Sequence, residues 1–262
     1  MRTGATDLTS PASLSLTDGA AAVERTAAPL GQLPRLSLGG GTLRVGDCTS
    51  AADREESFAT TVGSQDWLWS GDDEIRFARA TGELHSLHLK VPQLRPEAAE
   101  PTAPWAGLPV TTGGLRLDPP RPFSLTPARD CWISAGGTVL SARYDTPAPR
   151  HEALRLRVAP SCDLVFSDGR LAGWLLEQPE RCLVTAWEVR TESPPDPELA
   201  TILRDFLPYL AEPLVDRITD DSDPQLLTEL RALEERARLR TTGAGRADAL
   251  AAAVRDLIDD WY

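Results

Sequence analysis

The sequence predicts an α+β protein: a mainly antiparallel β-domain, sandwich or barrel-like, followed by a C-terminal segment of two or three helices. Three observations carry that prediction. Apolar and polar residues alternate in short stretches between residues 34 and 191, as on half-buried strands. A skeleton of Gly, an apolar residue two positions on and Pro ten positions on recurs at Gly82, Gly137 and Gly169. Beyond "TESPPDPE" the apolar spacing becomes helical, and no helical period alternates with strands before residue 196, which disfavours a parallel α/β arrangement.

Residues 1–33 are rich in Ala, Ser and Thr without a sustained period and read as a disordered or weakly ordered arm. Asp7, Pro11 and Asp18 interrupt any apolar run there, so no secretory signal is expected and the chain is placed in the cytoplasm. Residues 34–191 form the β-domain, and the four prolines of "RPEAAEPTAPWAGLP" (95–109) read as a linker between two halves of it. In "QDWLWSGDDEIRFAR" (65–79), Trp67 and Trp69 share a face, Gly71 and Asp72 offer a turn, and Ile75 and Phe77 return: a hairpin.

The skeleton Gly82–Leu84–Pro92 has the same reading as Gly137–Val139–Pro147 and Gly169–Leu171–Pro179. Gly takes the positive φ of a tight turn, a strand follows, and Pro, lacking an N–H, ends the pairing. Leu84 is out of phase with Leu87, Leu89 and Val91, which implies a β-bulge between them. In "EALRLRVAP" (152–160), Leu154, Leu156 and Val158 point inward and Arg155 and Arg157 to water.

The helical segment covers 196–262. Asp196–Pro197 and Asp223–Pro224 each set an N-cap acceptor before a Pro whose missing N–H costs nothing. Ile202, Leu203, Phe206 and Leu210 follow helical spacing, with Pro208 and Pro213 as breaks. Leu226, Leu230, Leu233 and Ala237 stripe a second helix over 224–240; Leu250, Val254, Leu257, Ile258 and Trp261 stripe the last.

A net charge of −12 argues against a nucleic-acid binder, and no apolar run is long enough for a membrane span. Lys90 is the only lysine, a bias towards Arg that points to a GC-rich bacterial genome. Cys48, Cys131, Cys162 and Cys182 form no C-x-x-C pair and read as reduced thiols, mostly buried. His85 and His88 lie three apart, on opposite faces of a regular strand, and no neighbouring ligand set completes a metal site, so neither metal nor cofactor is expected. "LGGGTLRVG" (38–46) lacks the G-K-[ST] of a phosphate loop, "GDDE" and "TDDSDP" lack EF-hand spacing, no G-x-S-x-G elbow occurs, and His151 reads as a loop residue.

Function is expected to be that of a non-catalytic binding or accessory protein, meeting a protein partner or a second copy through its β-face or its amphipathic C-terminal helices. The alternative is an enzyme of cyclase or isomerase type, with Trp67, Trp69, Trp132 and Trp174 lining a pocket for a small apolar metabolite.

Overall fold

The computed structural model describes residues 14–17, 21–64, 73–95, 99–145, 153–219, 223–240 and 244–262. Among the described residues, fourteen strands form two sheets. The smaller is antiparallel throughout, in the order β3 (Arg35–Ser37), β4 (Thr42–Val45), β7 (Leu84–Lys90), β6 (Glu74–Ala78), β5 (Thr61–Gly63). The larger runs β8 (Val110–Thr112), β12 (Ala153–Ala159), β13 (Cys162–Ser167), β14 (Arg170–Glu177), β1 (Leu14–Ser15), β2 (Ala22–Thr26), β9 (Gly114–Leu117). Alongside β1, β11 (Val139–Arg143) also pairs with β14 and carries β10 (Asp130–Ile133) on its far side. Two parallel pairs, β8 with β12 and β1 with β14, make this sheet mixed, and neither strand order closes into a barrel.

The recurring glycines do what the skeleton requires. Gly82, Gly137 and Gly169 all have positive φ (73°, 68° and 78°), and β7, β11 and β14 follow them. Asp168 joins Gly169 at φ 48°, the double positive φ of a type I′ turn between β13 and β14. β7 stops at Lys90, just short of Pro92, and Pro179 opens a 3-10 turn after β14; Pro147 lies outside the described residues. The bulge is present: Phe77 faces Leu84 while the preceding Arg76 faces Ser86, leaving His85 as the extra residue.

Several expectations need correction. Ala22–Thr26, assigned by composition to a weakly ordered arm, is a strand whose Val23 is buried against the core and which pairs along β9. Its partner, not its composition, orders it. Residues 99–107 within the supposed linker are helical, α2 (Ala99–Thr102) continuing as a 3-10 turn (Ala103–Gly107), and Trp105 packs on Val165, Ala172 and Leu175 of the larger sheet. Arg155 does not reach water but is 2 % exposed. This cover lies over it: Arg155 donates to the Ala106 carbonyl at 2.8 Å and pairs with Asp163 and Glu177, while Arg157 pairs with the same two carboxylates.

After residue 196 there are four α-helices among the described residues, not two or three: α3 (Pro197–Phe206), α4 (Leu214–Thr219), α5 (Pro224–Arg238) and α6 (Ala244–Trp261). The first stripe is cut in two by a 3-10 turn (Leu207–Leu210) and Pro213, as the proline positions foretold. Asp196 and Asp223 cap α3 and α5, accepting backbone N–H groups at 2.9–3.1 Å. The helical stripes are used internally: Leu199, Ile202, Phe206, Leu230, Leu250 and Val254 enter one core with Leu43, Ile75 and Phe77 of the smaller sheet and Leu140, Leu164 and Phe166 of the larger. None of the helices described is long and apolar enough to cross a membrane. The four cysteines are unbonded, and burial pushes the Cys131 thiol up to about 12 and the Cys182 thiol to about 11.

Candidate functional site

Directly opposed residues on antiparallel strands share a face. In the smaller sheet, Arg35 opposes Arg44, Arg44 opposes His88, and His88 opposes Glu74, so one row crosses four strands. Arg76 and Ser86 form the next row on the same face. The alternate residues Leu36, Leu43, Leu87, Ile75 and Phe77 point into the core, which fixes the charged row outward. A short helix, α1 (Ala51–Ser57), borders it. Ser50 caps α1 by accepting from the Asp53 N–H at 3.0 Å, and Arg54 and Phe58 face the cavity from this side. Trp187, from the segment after the Pro179–Cys182 turn, forms another wall.

The cavity between these walls is small and opens to solvent. Among the described residues, four guanidiniums, Arg35, Arg44, Arg54 and Arg76, line it against one carboxylate, Glu74, together with His88, Cys48 and the two aromatic walls. Arg54 pairs with Glu74. Asp47 and Glu188 lie near enough to favour the charged forms of Arg35 and Arg44, but they are not part of the lining.

Three of the arginines are held in place by neutral groups, whereas Arg54 is held by Glu74. Arg35, 5 % exposed, donates to the Gly46 carbonyl at 2.8 Å and the Trp187 carbonyl at 3.2 Å. Arg44 donates to the Ala186 carbonyl at 2.9 Å and stacks on the Trp187 ring, 4.1 Å from its centre. Arg76, 7 % exposed, donates to the Thr61 carbonyl and hydroxyl and to the Ser64 carbonyl, with its guanidinium 4.7 Å from the Phe58 ring centre. Carbonyls and rings orient these cations without neutralising them. Burial lowers the pKa of Arg35, Arg44 and Arg76, and neighbouring guanidiniums lower Arg44 and Arg76 further.

His88 feels the same field. Burial first, then Arg44 and Arg54, push its pKa down to about 3. Its ring meets Trp187 edge-on at 6.2 Å. Two buried polar atoms of the lining residues, Arg44 Nε and His88 Nδ1, have no hydrogen-bond partner. The arrangement can accept negative charge; it is poorly suited to accepting another positive one.

The residues singled out from sequence are distributed otherwise. Trp67, Trp69 and the turn at Gly71–Asp72 lie outside the described residues, as does His151. Trp174 is 0 % exposed and belongs to the core, because β14 is covered on both faces. Trp132 is half-buried on β10 opposite Ser141. Neither lines the arginine cavity, whose tryptophan is Trp187. His85 and His88 are separated by the bulge, and among the described residues no three His, Cys, Asp or Glu side chains are placed to hold a metal. Asp73 of "GDDE" is buried and Glu74 is the cavity carboxylate, while Asp223 of "TDDSDP" is a helix cap.

The arginine row went unseen in the sequence. Its signal was there in "PRLSL", "TLRV" and "EIRFAR", where arginines occupy the polar phase of three strands. What sequence could not supply was the pairing that lines those phases up.

No family model matches this chain and no curated protein matches it significantly in sequence, so its function has to be argued from the geometry alone.

Proposed function

We propose that this chain is a non-catalytic binding protein that holds an anionic group of its ligand in the arginine cavity of the smaller sheet. One observation carries the reading: among the described residues, four guanidiniums and one carboxylate line a single cavity, in a chain whose net charge is −12. Gathering cations at one place in an acidic protein costs desolvation and mutual repulsion, and an incoming anion offsets both. His88, its pKa pushed down to about 3 by burial and then by Arg44 and Arg54, is neutral near pH 7 in the free cavity and adds no charge to the four guanidiniums.

A protein–protein role through the C-terminal helices draws less support, since the apolar stripes that motivated it, apart from the exposed Trp261, pack into the chain's own core. The cyclase or isomerase alternative rested on a pocket lined by Trp67, Trp69, Trp132 and Trp174; the first two lie outside the described residues and the other two are not in the arginine cavity.

Thermal unfolding with added anions tests the proposal. Phosphate, sulfate and a dicarboxylate at equal ionic strength should raise the melting temperature above that in chloride. The rise should be lost in Arg44→Gln, chosen because Arg44 is half-buried and makes one hydrogen bond that its shortened amide does not need for folding. An equal rise in wild type and variant would sink the idea.

A further inference from the structure

We infer, building on the anion-binding reading, that the group received by the cavity is phosphoryl, a tetrahedral dianion, in preference to a carboxylate. Charge is the first reason: the described lining carries four cations and one anion, and a ligand carboxylate would leave most of that excess in place. Donor number is the second. Of five N–H groups on each guanidinium, Arg35 uses two on carbonyls and Arg44 uses one, so donors outnumber what the two oxygens of a carboxylate accept. A phosphoryl group brings three terminal oxygens.

Direction is the third reason. A carboxylate is planar and is gripped best by one guanidinium fork. Here the cations come from four elements, β3, β4, β6 and α1, so a bound group meets more than one fork. The cavity is small, so it takes one such group at most and leaves its carrier in the open mouth.

Cys48 gives the test a reporter inside the site. It lines the cavity and is half-buried, whereas Cys131, Cys162 and Cys182 are buried, so iodoacetamide should label Cys48 first. The full chain is labelled in the presence of inorganic phosphate, phenyl phosphate, malonate or acetate at constant ionic strength, with the rate read by intact mass and peptide mapping. Titration calorimetry with the same four compounds gives affinities.

The expected result is protection of Cys48 by both phosphates and at least tenfold tighter binding of them than of malonate or acetate. Equal binding of malonate and phosphate would overturn the phosphoryl assignment while leaving the anion site standing. No protection by any of the four would overturn both. Phenyl phosphate binding as well as inorganic phosphate identifies the source as an ester carried on a larger molecule; binding of inorganic phosphate alone identifies the free ion. Phosphate affinity unchanged in Arg44→Gln would place the binding elsewhere and overturn the inference.

Discussion

The phenolic hydroxyl of Tyr144, just beyond β11, donates a hydrogen bond to the carboxylate of Asp73, just before β6, and both side chains are buried. This bond ties the larger sheet to the smaller one. Asp73 also accepts the Lys90 N–H. Burial first, then the Asp73 charge, raises the Tyr144 pKa well above 10. Tyr144→Phe should therefore cost about 1–3 kcal/mol in urea unfolding by depriving a buried carboxylate of a donor. In alkali the unfolded chain loses the tyrosine proton first, so stability should fall as pH rises past 10, and the variant should lack that component of the fall.

His88 predicts the opposite slope at the other end of the scale. Its pKa is about 3 in the folded chain against 6.5 ordinarily, so between those values the unfolded chain binds the extra proton. Stability contributed by His88 is complete above pH 6.5 and is lost as pH falls towards 3. Urea midpoints of His88→Gln should decline less than wild type between pH 7 and pH 4. Saturating phosphate should raise the His88 pKa, read as a shift in its imidazole proton resonances; an unchanged titration would count against an anion near the ring.

The Arg155–Asp163 pair separates buried from exposed electrostatics. Asp163 is wholly buried between two arginines, and Asp163→Ala should cost about 3–5 kcal/mol by leaving two cations to share the one carboxylate of Glu177. The Arg116–Glu24 pair sits in solvent, and Glu24→Ala should leave the unfolding midpoint nearly where it is. Similar losses from the two would contradict the burial assigned to residue 155.

Gly173 on β14 admits the Trp105 ring. A Cβ there would fall 2.2 Å from the Ala142 carbonyl oxygen and 2.6 Å from the indole, so backbone or ring must shift. Gly173→Ala should cost about 1–3 kcal/mol and red-shift tryptophan emission as Trp105 is displaced towards water.

What could be read in the sequence is what local chemistry decides. The turn glycines, Asp196 and Asp223 as caps, the proline breaks and the bulge before Leu87 are each set by a few neighbouring residues. The misread positions depend on distant partners. Arg155 is buried by residues 99–107, and Ala22–Thr26 is ordered by β9, some ninety positions downstream. The candidate site belongs to this second kind: Arg35, Arg54, Arg76 and Trp187 meet only through sheet pairing and a returning loop. Tryptophan count was a weak guide for the same reason, since identity does not say which ring a strand turns outward.

The surplus residue at His85 acts as a phase shifter for the whole cavity. Leu84 and His88 are an even number of positions apart and on an unbroken strand would share a face, yet one is a core contact opposite Phe77 and the other sits in the arginine row. Remove one residue at that point and the strand must choose: keep the hairpin end packed and turn Leu87 and Leu89 out among the arginines, or keep the row and lose the hairpin end. A single inserted position thus lets one seven-residue strand serve the core at one end and the cation cluster at the other.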